Sequence, residues 1–225
     1  MDFDFGGHEL TQPQLIIFDC DGVLVDSEPL AGAYLLQELS RYGLHLSAAD
    51  CEAHFFGGTI AKVAVTARHM GADLPAGWAD DFYGQFYTHL KKEGVPLVSG
   101  ILDVLDRIEA AGIPFCVVSN GPEEKMEITL GQNAQWDRFQ GAVFSAHTYG
   151  VAKPDPELLL IAARKFGVAP KDCIMIDDSP TGCMGAANAD MRCIGYAKRS
   201  DVNTLAATGA TVIRSMTELP PLLGL

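Results

Sequence analysis

The chain has no Cys-x-x-Cys pair, no cluster of Lys or Arg, no run of eighteen apolar residues and no internal repeat. Each absence removes a class of protein. The six cysteines (Cys20, Cys51, Cys116, Cys173, Cys183, Cys193) are scattered, several within apolar runs. That spacing fits reduced, buried thiols rather than a disulfide or zinc framework. Basic residues are scarce: 16 Lys and Arg stand against 29 Asp and Glu, a formal charge of −13, and none gathers beyond an adjacent pair such as Lys198-Arg199. Binding to nucleic acid or to an anionic membrane needs clustered cations, so neither is expected as a partner. The first thirteen residues carry no basic stretch followed by an apolar one. With no apolar run long enough for a membrane span either, the expected location is the cytoplasm.

What is present is an ordinary soluble composition, 48% apolar and 20% charged over 225 residues. This is enough for one good core and a second, small module. Leu15–Asp19 reads as a strand. From about Pro29 to Val95 the pattern is helical only: Tyr34-Leu35-Leu36, Leu39 and Tyr42; Ile60, Val63-Ala64, Ala67 and Met70; Phe82, Phe86 and Leu90. After Pro96 strands and helices alternate, with strands predicted at Phe115–Ser119, Ala142–Phe144, Ile174–Ile176 and Cys193–Gly195, and a weak strand-helix pair near Thr211–Leu223. Alternation of this kind predicts an α/β fold, a Rossmann-like parallel sheet with helices on both faces. The expected organisation is a core of 1–27 and 96–225 with a helical module, 28–95, inserted after the first strand and able to hinge over it.

Asp19 and Asp21 stand where the apolar run Leu15-Ile16-Ile17-Phe18 ends. Residues i and i+2 of an extended strand share a face, so both carboxylates are expected in one site. Later strand ends run into Ser119-Asn120-Gly121-Pro122, Lys153-Pro154-Asp155-Pro156 and Asp177-Asp178-Ser179-Pro180. Each is a helix-start pattern with Pro at the predicted first helical position. In a parallel sheet all these loops emerge at the carboxyl edge, where helix N-termini favour phosphate. Four carboxylates and one ammonium delivered together call for a cation. Oxygen ligands without His or Cys select a hard ion, and beside phosphate that ion is Mg²⁺. The chemistry this implies is phosphoryl transfer to a carboxylate nucleophile.

Four motifs in order carry a family resemblance: Asp19-x-Asp-Gly-Val-Leu-Val-Asp-Ser27, Val117-Val-Ser-Asn-Gly121, Lys153-Pro-Asp-Pro156 and Ile176-Asp-Asp-Ser-x-x-Gly182. From about Leu15 to Ala197 the chain closely resembles the haloacid dehalogenase superfamily, in the branch with a helical cap. Within it, the run Cys116 to Met126 resembles bacterial 6-phosphogluconate phosphatases. The resemblance implies that Asp19 attacks phosphorus and becomes an aspartyl phosphate. Asp21 would protonate the leaving alcohol and then activate water. Mg²⁺ would be held by the Asp19 carboxylate, the Asp21 carbonyl and Asp178, with Asp177 in direct or water-mediated support. Ser119, Asn120, Gly121 and Lys153 would bind the phosphoryl group, Lys153 also neutralising the nucleophile. Ser27 is a candidate substrate contact against the alternative of simple helix capping, as is the turn Gly57-Gly58-Thr59 with Lys62 and Arg68.

The implied partner is a small phosphorylated metabolite, a sugar or sugar-acid phosphate, with 6-phosphogluconate the named expectation. The oligomeric state is not legible in one chain. A rival reading is a β-phosphoglucomutase-like mutase. There the resemblance would place a cap His and a cap Arg where this chain has Ala31 and Ile60, so water is the expected acceptor. A second rival is a non-catalytic phospholigand-binding protein, which would be expected to lack one of the key residues; none is missing.

Overall fold

The computed structural model describes residues 12–55 and 59–225. The described residues divide into two compact units, one of 12–25 and 97–225, the other of 26–55 and 59–96.

In the larger unit the elements run β1 (Leu15–Phe18), then, after the chain returns, α5 (Ile101–Ala110), β2 (Phe115–Ser119), α6 (Glu123–Gly131), β3 (Val143–Ser145), α7 (Ala146–Tyr149) and α8 (Glu157–Phe166). They continue with β4 (Cys173–Asp177), α9 (Pro180–Asn188), β5 (Arg192–Tyr196), α10 (Val202–Ala206), β6 (Thr211–Ile213) and α11 (Leu219–Leu222). The six strands form one sheet in the order β3-β2-β1-β4-β5-β6, every pairing parallel. The order reverses direction at β1, between β2 and β4. That is where a doubly wound sheet opens a crevice at its carboxyl edge.

Apolar residues without alternation make these central strands. All four residues of β1 are fully buried, so both faces of the strand are covered. Leu15, Ile17, Cys116, Val118, Cys173 and Met175 pack with Leu158, Leu159, Ala162 and Ala163 of α8 and Ala186 of α9. On the opposite face the Phe18 and Phe115 rings meet edge to face at 6.3 Å, and Phe115 meets Phe139 at 5.2 Å. Short α7 and α10 lie in stretches where no helix is predicted; at four and five residues they present too little periodicity to read.

The second unit holds α1 (Glu28–Arg41), α2 (Ala48–Phe55), α3 (Ile60–His69) and α4 (Trp78–Glu93), with no strand among its described residues. Tyr34 packs on Phe86 with ring centroids 5.3 Å apart, and Trp78 on Phe82 at 5.1 Å. Phe82, Phe86 and Tyr87 are buried, whereas Tyr83 is 44% exposed.

Candidate active site

Four segments end at the carboxyl edge of the sheet and deliver the charged residues. β1 supplies Asp19 and Asp21, β2 Ser119 and Asn120, the stretch before α8 Lys153, and β4 Asp177 and Asp178. The Lys153 ammonium is the hub. It donates to Asp19 Oδ1 and to Asp177 Oδ2, each at 2.7 Å, and to the Val118 carbonyl at 3.2 Å. An ammonium has three protons, so all are engaged. Burial works against this charge, but Asp177 and Asp19 beside it outweigh burial and hold Lys153 above the ordinary lysine range. Burial pushes the Asp19 carboxyl up to about 7, with Lys153 pulling it down and Asp177 adding to the rise.

Carboxylate oxygens of Asp19, Asp177 and Asp178 lie within 4.8 Å of one another. Three carboxylates against one ammonium leave negative charge in excess. The high Asp19 value comes first from burial, with Asp177 and then Asp21 adding to it against the pull of Lys153. Donors of oxygen alone, this close, fit a hard divalent cation such as Mg²⁺. Two glycines make the crowding possible. A Cβ at Gly22, where φ is +83°, would collide with the Asp178 carboxylate, and one at Gly182 would collide with that of Asp177.

The local hydrogen bonds show how each residue is held. Asp177 Oδ1 accepts from the Ser179 N–H at 2.9 Å and from its hydroxyl at 2.7 Å; Ser179 Oγ in turn caps α9 by accepting from the Gly182 N–H at 3.0 Å. The Asp178 carbonyl accepts from Ser200 Oγ at 2.5 Å. Ser119 Oγ accepts from the Gly121 N–H at 3.0 Å, and the Gly121 carbonyl accepts from Ser145 Oγ at 2.8 Å. Pro180 opens α9 as predicted, but Pro122 and Pro156 are the caps of α6 and α8, one position earlier than expected.

Several placements differ from the sequence reading. The strand ends at Phe18, so the two-residue period does not extend through Asp21. The Asp21 carboxylate is outside the cluster of three and pairs with Lys125, a residue to which the sequence reading assigned no role, at 2.8 Å. The only hint was its place within the Cys116 to Met126 run. Asn120, expected on the phosphoryl group, has its amide engaged with the Lys153 backbone: Nδ2 donates to the carbonyl at 3.0 Å, and Oδ1 accepts from the N–H at 2.8 Å. Cys20 is buried, its thiol pushed well up by burial and then by Asp21 and Asp19, which fits an inert packing residue.

In the other unit, Ser27 is buried at the start of α1 with no side-chain capping bond to the helix. Gly57 and Gly58 lie outside the described residues. Thr59 caps α3 by accepting from the Lys62 N–H at 3.3 Å. Arg68 donates to the Leu74 and Pro75 carbonyls at 3.2 and 2.8 Å, a fastening within its own unit. No helix among the described residues is long and apolar enough to cross a membrane.

A doubly wound parallel sheet with a buried lysine between two acids at its carboxyl edge defines a class, and comparison with known proteins identifies it. Residues 13–190 match the haloacid dehalogenase-like hydrolases, and the chain belongs to that family. Within it the chain stands with the phosphatases. It is 27% identical over 214 residues to a 6-phosphogluconate phosphatase of Escherichia coli (strain K12), covering 95% of this chain and 96% of that one. It is 29% identical over 180 residues to a phosphoglycolate phosphatase of Xanthomonas campestris pv. campestris, covering 80% of each. Among solved structures it is similar to a HAD family hydrolase of Deinococcus radiodurans R1 with bound phosphate and sodium. The TM-score is 0.81 and the identity 26%, over 95% of this chain and 96% of that one.

Proposed function

We propose that the chain is a Mg²⁺-dependent phosphatase hydrolysing a small sugar or sugar-acid phosphate, 6-phosphogluconate foremost, through an aspartyl phosphate on Asp19. The observation that carries this reading is Lys153 Nζ at 2.7 Å from both Asp19 and Asp177 beside the cluster of acids. A lysine so placed opposes the upward push of burial on the Asp19 carboxyl and aims it, as a nucleophile needs.

In the first step an Asp19 carboxylate oxygen attacks phosphorus and the bond from phosphorus to the ester oxygen breaks. Asp21 gives its proton to the departing alkoxide, which leaves as the alcohol. In the second step Asp21 takes a proton from water. The oxygen of that water attacks phosphorus, the Asp19–phosphorus bond breaks, and inorganic phosphate is released. The Ser119 hydroxyl and the ammonium of Lys153 hold the phosphoryl oxygens. Because all three Lys153 protons already have protein partners, it reaches the phosphoryl group by sharing a proton. Asn120 acts one step back, by fixing Lys153. The residues that would hold Mg²⁺ are Asp19, Asp178 and the Asp21 carbonyl, with Asp177, both of whose oxygens the protein already engages, in support. When bound, the ion supplies charge neutralisation for the phosphoryl oxygens.

The helical unit is assigned the part of a substrate-reading cap on a core made of 1–27 and 96–225, with Ser27 near its start as a candidate contact. The two curated relatives named above carry names of phosphate esters that also bear a carboxylate, which supports a sugar-acid phosphate. Ala31 and Ile60 stand where the mutase reading wants His and Arg, so water is the acceptor.

Turnover of p-nitrophenyl phosphate with and without Mg²⁺, followed by a panel of phosphate esters, tests the proposal. Metal-dependent hydrolysis with a preference for sugar acids is expected. Folded protein that turns over no ester would restore the binding-protein reading, and a preference for nucleotides or aromatic phosphates would overturn the substrate class.

A further inference from the structure

Asp21 Oδ1 accepts from Lys125 Nζ at 2.8 Å, a contact between residues 104 apart in the chain. Neither is a fully exposed surface group: the side chains retain 18% and 26% of their exposure for Lys125 and Asp21. Lys125 lies in the first turn of α6, so the loop that carries Ser119 and Asn120 leads directly into it. The other oxygen of Asp21, Oδ2, lies on the side of that loop. A Cβ built at Gly121 would be 3.8 Å from it and 3.3 Å from Ser119 Oγ. One oxygen of Asp21 is thus tethered while the second faces the loop assigned to the phosphoryl group.

We propose that Lys125 is a positioning residue that holds the Asp21 carboxylate in the orientation needed for proton transfer at the ester oxygen. This rests on the phosphatase reading above. The physical need is that Asp19, Asp177 and Asp178 repel a fourth carboxylate, and a side chain partly open to water is held against that repulsion by a paired cation. Misplacement by about 1 Å is enough to cost about 10²-fold in rate.

The test compares parent, Lys125→Met and Lys125→Arg proteins, each alone and with Asp21→Asn, at saturating Mg²⁺. The probes are 6-phosphogluconate, an alkyl ester whose leaving group needs a proton, and p-nitrophenyl phosphate, whose leaving group does not. Lys125→Met is expected to slow single-turnover cleavage of the alkyl ester by about 10²-fold and release of p-nitrophenol far less. KM and inhibition by inorganic phosphate should be unchanged, Lys125→Arg should recover most of the rate, and the loss should vanish in the Asp21→Asn background. Equal slowing of both esters, or a loss that adds fully to that of Asp21→Asn, would overturn the positioning role. So would weaker phosphate inhibition with an intact rate, which would make Lys125 a phosphoryl contact. Should Lys125→Met melt early, the Arg variant and its own double mutant decide. A parent protein that cleaves neither ester removes the phosphatase reading and the proposal together, whereas an active parent with an indifferent Lys125→Met variant removes the proposal alone.

Discussion

Asn120 grips the Lys153 backbone on both sides of its Cα, donating to its carbonyl at 3.0 Å and accepting from its N–H at 2.8 Å. The lysine therefore has its backbone fixed by β2's loop while its ammonium is fixed by Asp19 and Asp177. A long, flexible side chain becomes a rigid fitting only because both ends are tied. Asn120→Ala is expected to lower kcat by about 10-fold to 10²-fold through misplacement of the ammonium. Loss of the paired bonds should also lower stability by about 1–3 kcal/mol. Steady-state kinetics and urea denaturation read the two effects, and an unchanged kcat would show that Lys153 needs no such hold.

Asp19→Asn should abolish turnover while part of the Mg²⁺-dependent binding of inorganic phosphate survives, because Asp178 and Lys153 remain. Titration calorimetry beside a single-turnover assay checks both halves. Near-normal rates from this variant would take the nucleophile's role away from Asp19.

Two glycines of one helix should respond oppositely to the same change. A Cβ at Gly182 runs into the Asp177 carboxylate, whereas at Gly185 it makes ordinary contacts of 3.4 to 3.6 Å with Lys153 and Pro154. Gly182→Ala is expected to cost about 1–3 kcal/mol and to weaken activation by Mg²⁺. Gly185→Ala should be neutral or stabilising by about 0.5–1 kcal/mol, since alanine favours the helix. Thermal melts and Mg²⁺ activation curves of both proteins settle the comparison.

The raised Asp19 value has a consequence for pH in metal-free protein. The folded state keeps this proton up to about 7, while the unfolded chain releases it near 3.8. Across that window the folded state binds more protons, so the contribution of Asp19 to stability falls as pH rises. In chelator, the stability of the parent relative to Asp19→Asn should decline from about pH 4 to about pH 7. Saturating Mg²⁺ should remove the trend by favouring the ionised form. Denaturation midpoints at stepped pH read it; a relative stability that climbs over the same range would contradict the sign.

The parts of this fold that sequence made legible are those written in local pattern. Ile174–Ile176 and Phe115–Ser119 are continuous apolar runs ended by turn residues, and such runs make buried parallel strands. The residues just beyond them were assignable to one edge because every parallel strand points the same way. The two-residue strand period does not carry from Asp19 to Asp21, since the strand stops one residue before Asp19. Asn120 was read as a ligand contact because nothing in the sequence around it names Lys153 as its partner.

By itself, then, the sequence determined the order of the strands' apolar runs, the helical character of residues 28–95 and the set of polar groups at the carboxyl edge, because backbone sterics and burial act on neighbours in the chain. Only the tertiary structure decided who pairs with whom: Lys153 with Asp19 and Asp177, Lys125 with Asp21, Asn120 with the Lys153 backbone. The reason is the sheet order, which seats β1 between β2 and β4 and so brings together side chains that lie far apart along the chain.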